Sequence, residues 1–199
     1  MIVAAADGSS LNNPGPAGWA WYIDDDTWAA GGWPRGTNNM GELKAVLDVL
    51  RATRDADEPL TILCDSQYAI NCCTKWIPGW KRKGWRKRDG KPVLNRDLLE
   101  PIDEELDGRD VTFEWVKGHA GHAMNEAADQ RARAAATAFR DGTPVDHGPG
   151  FGRVDRDPQP QEDVPRPGNG DEQERLFDLP ERPATPAQEL FGILPDKER

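Results

Sequence analysis

The spacing of apolar residues changes once along this chain, and that change decides the kind of fold it can adopt. Residues 2–7, IVAAAD, read as a buried strand, and GWAWYI alternates as a half-buried strand does after the turn cluster SSLNNPGPAG. A third strand is expected near TWAAGGW, after the acidic DDD turn, so the early part of the chain reads as a meander. From Asn39 the period becomes helical: Leu43, Val46, Leu47 and Leu50 recur at that spacing and stop before the polar RDADEP. LTILCD is then a short buried strand. Helical segments are expected over residues 67–75 and 78–86, with Pro78 tolerated early in the second. Asn95 is placed to cap a helix bearing Leu98, Leu99, Ile102 and Leu106, VTFEWV is the last strand, and residues 123–140 form a last helix rich in Ala and Arg. Three strands followed by strands alternating with helices imply an α/β fold, a mixed sheet with helices on its faces.

Four carboxylates stand at telling places in that order. Asp7 follows MIVAAA, Glu42 opens the first amphipathic segment after TNNMG, Asp65 follows TILC and Asp129 lies in the last helix, so three of the four are expected at element ends. Carboxylates gathered at one end of a sheet repel one another unless something positive sits between them. Hard oxygen ligands without a cysteine or histidine cluster point to Mg²⁺ or Mn²⁺ rather than zinc. Two such ions about 3.5 to 4 Å apart stabilise the attacking and leaving oxygens of a phosphodiester displacement.

The segments ADGSSLNNPGPAGWAW, RGTNNMGEL, CDSQYAI and EWVKGHAGHAMNEAADQRARAAA occur in this order. Together they resemble type 1 ribonuclease H, which cuts the RNA strand of RNA/DNA hybrids, over roughly residues 1–140. The resemblance implies the five-stranded ribonuclease H fold with its acids at the sheet centre. It makes Asp7, Glu42, Asp65 and Asp129 the ligands of two Mg²⁺ ions, with Mn²⁺ an alternative, in a hydrolysis that leaves 5′-phosphate and 3′-hydroxyl ends. His119, the first histidine of GHAGH, matches the family's catalytic histidine, which shuttles a proton or moves as product leaves. His122 is expected to fix that loop through a structural hydrogen bond, and Glu126 to act as a favourable charge near a helix N-terminus. Asn13, Asn38, Asn39 and Gln67 match the groups that read 2′-hydroxyls, which alone tell RNA from DNA at a given nucleotide. Arg35, Thr37 and Asn95 match a pocket for a phosphate of the DNA strand, with Gly36 standing where close relatives carry a larger polar residue.

The net charge of −10 argues against a nucleic-acid partner only if taken as a mean. Between Lys75 and Arg96 nine basic residues face one acid, Asp89, a net of +8 in 22 positions. Within this stretch, which resembles the family's basic protrusion, Trp76, Trp80 and Trp85 interleave Lys81, Arg82, Lys83, Arg86, Lys87 and Arg88. The cations can hold phosphates while the tryptophans either stack on sugars and bases or form the protrusion's own core, with Trp85 the more structural. Cys64, Cys72 and Cys73 have no metal-ligand spacing and read as reduced, buried thiols. No apolar run approaches the about 20 residues of a membrane span, and the N-terminus lacks a signal-peptide pattern. A cytoplasmic monomer is expected.

Composition divides the chain into a ribonuclease H domain over residues 1–140 and a tail over 141–199. The first part has 18 Lys and Arg against 21 Asp and Glu, a net of −3; the second has 7 against 14, a net of −7, with 10 of the 17 prolines. Such a segment is expected to be disordered. Near its end, QERLFDLP and QELFGILP form an approximate repeat in which Gln173, Leu176 and Phe177 correspond to Gln188, Leu190 and Phe191. The first resembles the short peptide by which bacterial replication proteins bind the sliding clamp; the alternative is that these are undirected tail hydrophobics. Besides a hybrid-cutting nuclease, the chain could be a hybrid or double-stranded RNA binding module whose tail recruits replication proteins. Four clustered acids facing phosphate argue against a pure binder.

Overall fold

The computed structural model describes residues 1–152. Its strands are β1 (Ile2–Ser10), β2 (Gly15–Asp24), β3 (Thr27–Gly36), β4 (Leu60–Cys64) and β5 (Val111–Trp115). Its helices are α1 (Asn38–Ala52), α2 (Gln67–Asn71), α3 (Ile77–Arg82), α4 (Arg96–Leu106) and α5 (Ala123–Asp141), with a π-helical turn over Cys72–Trp76 joining α2 to α3. The strands lie in the order β3-β2-β1-β4-β5; the first three form the antiparallel meander, and β1–β4 and β4–β5 are parallel. This is the mixed five-stranded sheet expected from the change of period.

The alternation of β1 divides the interior. Ala4 and Ala6 face a large core with Trp21, Leu43, Val46, Leu50, Ile62, Leu99 and Ile102, whereas Ala5 faces the other side with Leu63, Val116 and Ala128. Helices therefore cover both faces: α1 carries Leu43, Val46 and Leu50, and α5 carries Ala128 and Ala132. Each fully buried Leu or Ile of the larger core contributes about 2 kcal/mol of hydrophobic stabilisation. Close approach of α1 to the central strand depends on Gly8, where a Cβ would fall 2.2 Å from the Glu42 backbone nitrogen. No side chain fits there, and its absence brings Glu42 down onto β1. Thr37 starts α1 by accepting the Met40 N–H at 3.2 Å.

Several local expectations are corrected. β1 runs on to Ser10, pairing Gly8, Ser9 and Ser10 with Trp19, Gly18 and Ala17, so Asp7 lies inside a strand rather than at its end. Turn-like composition lost to an available strand partner. The helix expected to reach Arg86 stops at Arg82, because Gly84 (φ +63°) and Trp85 (φ +59°) turn left-handed and plant the Trp85 indole in the core. Asn95 precedes α4 but is left-handed (φ +56°) and makes no capping bond; its Nδ2 donates to the Tyr68 hydroxyl at 3.4 Å.

The chain also continues to pack beyond the boundary drawn at residue 140. After Gly142 ends α5, the His147 carbonyl accepts the Ala30 N–H at 3.2 Å, the His147 Nδ1 lies 3.0 Å from the Ala30 carbonyl, and the Gly150 N–H donates to the Trp28 carbonyl at 2.9 Å. Val145, like Trp28, packs against the cluster of Ala20, Ala30, Ala132 and Ala135, and Phe151 against the large core. This strap covers the free edge of β3, which would otherwise present unpaired backbone groups. An average over the acidic, proline-rich segment hides these two apolar residues. A chain ending at Gly142 should therefore melt about 5 °C lower than one ending at Gly152, from the loss of two backbone hydrogen bonds and the Phe151 contact. Equal melting temperatures would show that the strap adds no stability.

Candidate active site

The strand register brings the acids together. Ala5 pairs with Leu63 in parallel, so two residues further on Asp7 is level with Asp65 at the end of β4. Gly8 brings Glu42 onto the same strand. One carboxylate oxygen from each of Asp7, Glu42 and Asp65 lies within 4.8 Å of the others. Asp129, on α5, stands outside this triad but lines the same cleft of about 200 Å³, with Ser9, Ser10, Asn38, His119 and Arg133.

Asp7 is buried, and its Oδ1 accepts the Gly8 N–H at 2.7 Å. Burial, reinforced by the charges of Asp65 and Asp129, pushes its pKa up to about 8 despite that hydrogen bond. Glu42 is likewise held well above the carboxylate range, first by burial and then by Asp7 and Asp65. Its Oε2 is buried without a hydrogen-bond partner. Two proton-holding carboxyls and an orphaned oxygen within 4.8 Å of other carboxylates fit a divalent cation, which would relieve the repulsion and satisfy the orphan.

His119 sits in the loop between β5 and α5, left-handed (φ +51°) and exposed, with Nδ1 4.0 Å from Asp129 Oδ2. The loop is not fixed by His122, whose exposed ring makes no capping bond at the start of α5. Glu126 does that work instead, its Oε1 accepting the Gly121 N–H at 2.9 Å, so it is a tie as well as a charge near the helix N-terminus.

The remaining sequence-predicted residues are spread around this centre. Asn13 Oδ1 accepts the Asn38 N–H at 3.3 Å, which joins the β1–β2 turn to the cleft wall. Asn39 is partly exposed, and Gln67 is exposed at the start of α2. Arg35 is exposed at the end of β3, while the Thr37 hydroxyl is occupied as the α1 cap. Trp76 and Trp80 are partly buried against the core with ring centroids 5.6 Å apart. In the protrusion Lys81 pairs with Asp103 at 2.6 Å and Arg86 donates to the Gly90 carbonyl at 2.9 Å. Arg82, Lys83 and Arg88 are exposed, and Lys87 is partly exposed. Gln173, Leu176, Phe177, Gln188, Leu190 and Phe191 lie outside the described residues.

Sequence reasoning passed over Ser9, Ser10 and Arg133. The serines were read as turn residues, and Arg133 was one of several arginines in an Ala-rich helix. The available signal was its spacing of one helical turn from Asp129.

A family model described as RNase H matches residues 1–137. The chain belongs to the RNase H family. Among the relatives of this RNase H, Ribonuclease H of Tropheryma whipplei (strain Twist) is 53% identical over 155 residues, covering 78% of this chain and 95% of that protein. Ribonuclease HI of Streptomyces coelicolor is 50% identical over 141 residues, covering 67% of this chain and 61% of that protein. The crystal structure of a type 1 RNase H with the type 2 active-site motif superposes with a TM-score of 0.58 at 27% identity, covering 75% of this chain and 76% of that chain. As a member of this family the chain is a ribonuclease H enzyme, in agreement with the resemblance read from its motifs. Among the described residues no helix is long and apolar enough to cross a membrane.

Proposed function

We propose that this RNase H is an endonuclease that hydrolyses the RNA strand of RNA/DNA hybrids with two divalent cations, leaving 5′-phosphate and 3′-hydroxyl ends. The observation that carries this reading is the buried acidic triad, with its orphaned Glu42 Oε2, open to a cleft. Asp7, Glu42 and Asp65 would hold one ion among them, and Asp129 would join Asp7 in holding the other. Cations held there supply Lewis acidity, lowering the pKa of the attacking water and taking up charge on the phosphate and the leaving oxygen.

The chain's own groups mainly position. The Gly8 N–H keeps Asp7 turned in one direction, and the tie between Asn13 and Asn38 sets the rim where Asn13, Asn38, Asn39 and Gln67 can read 2′-hydroxyls. Arg35, Thr37 and Asn95 form the proposed DNA-phosphate pocket. His119 can accept or release a proton at an imidazole nitrogen on the open side of Asp129. The tail peptides around Phe177 and Phe191 serve recruitment in this reading, with the sliding clamp as the partner, and contribute nothing to cutting.

Labelled RNA/DNA hybrid should be cut under Mg²⁺, blocked by EDTA, and cut far faster than matched duplex RNA, duplex DNA or single strands. Ends bearing a 3′-phosphate would overturn the mechanism, and equal cutting of duplex RNA would overturn the substrate assignment. The protrusion gives a second test. Neutralising Arg82, Lys83, Lys87 and Arg88, while sparing the engaged Lys81 and Arg86, removes up to four phosphate contacts. KM should rise about tenfold or more near 0.1 M salt, and the log–log salt slope should flatten by about 3, with kcat little changed. An unchanged slope would mean that this face does not meet the hybrid.

A further inference from the structure

Asp65 is the acid of the triad that lies beyond the end of its strand, since β4 stops at Cys64. The ladder therefore does not set its side chain. Three contacts from β5 and the segment after it do. The Trp115 indole N–H donates to the Asp65 carbonyl at 3.1 Å, which fixes the backbone. At Gly118 an added Cβ would fall 2.3 Å from Asp65 Oδ2, so the carboxylate occupies the space a side chain would take. From the first turn of α5, Asn125 Nδ2 reaches the same oxygen at 3.5 Å, the outer limit of a hydrogen bond.

Asn125 is costly where it stands. It is 2% exposed, and its Oδ1 is buried with no hydrogen-bond partner. Its neighbours on this side of the helix, Ala128 and Ala132, are small and apolar, so packing alone gives no reason for an amide. What the amide does is give Asp65 Oδ2 a donor. Asp65 Oδ1 accepts no hydrogen bond among the described residues, which leaves it as the oxygen offered to a cation.

We propose that Asn125 is a positioning residue, which with the space left by Gly118 presets the Asp65 carboxylate for metal binding. The proposal rests on the cation site proposed above and deepens it. Groups that orient a metal ligand typically change metal affinity by about 10- to 100-fold when removed. Mg²⁺ binding to the full chain, followed by titration calorimetry without substrate, tests it. Asn125→Ala should raise the Mg²⁺ Kd about tenfold or more. Its kcat deficit should close as Mg²⁺ is raised, and its KM for hybrid should stay unchanged. Gly118→Ala, which displaces the same oxygen from the other side, should weaken Mg²⁺ in the same way and supplies the test if Asn125→Ala does not fold. A Kd within twofold of the parent's in the folded variants would overturn the proposal while leaving the nuclease reading intact. Absence of Mg²⁺ binding by the parent chain would overturn both.

Discussion

Replacing Asp7 with Asn should lower the rate of hybrid cleavage under Mg²⁺ by about three orders of magnitude or more, a barrier increase of about 4 kcal/mol. Asp7 meets each of the other acids: its pKa is moved by Asp65 and Asp129, and it moves that of Glu42. An amide in its place still accepts the Gly8 N–H and fills the same volume, so the fold and the hybrid-binding surface should be preserved. Hybrid affinity measured by gel shift should stay within about threefold, since phosphate contacts dominate it. Cleavage near the parent rate would mean that the metal site is elsewhere.

The metal-free protein should lose stability as pH rises, and Mg²⁺ should restore it. In the unfolded chain Asp7 ionises near 3.8, whereas in the fold it keeps its proton to about 8. Between these values the folded state binds more protons than the unfolded state, so stability falls with pH. The contribution is complete below about pH 4 and lost above about pH 8. Each retained proton is worth about 1.4 kcal/mol per pH unit, or about 3 °C in melting temperature for a domain of this size. Glu42 adds a drift in the same direction. Melting in EDTA should therefore be clearly higher at pH 5.5 than at pH 8.5, with Mg²⁺ raising it strongly only at the higher pH. Asp7→Asn should flatten the EDTA profile. A metal-free melting temperature that climbs between pH 5.5 and 8.5 would contradict the repulsive triad.

Much of this was legible in the sequence because it depends on local patterns. The leucine and valine spacing of α1 reports a helix laid on a sheet, and the apolar blocks around Asp7 and Asp65 report strands buried on both faces. The acids were legible because they stand beside those blocks within distinctive segments. What escaped depends on a partner distant in the chain. Gly8, Ser9 and Ser10 look like a turn until Gly18 and Ala17 lie opposite them. Trp85 looks helical until the core claims its indole. Asn125 carries no sign in an alanine-rich helix that its amide will meet an aspartate 60 residues away.

The strap on β3 has a consequence for how the molecule is made. Ala30 and His147 are 117 residues apart, so the bond between them closes a long loop and returns the segment after α5 to the third strand. Until residue 147 is synthesised, a nascent chain whose meander has already formed offers the open edge of β3 to any other strand nearby. The same closure is the natural last step of folding and first step of opening, because it depends on few contacts across a large chain separation. Amide exchange at Ala30 should then report the coming and going of the strap, separately from the β1–β2 ladder behind it.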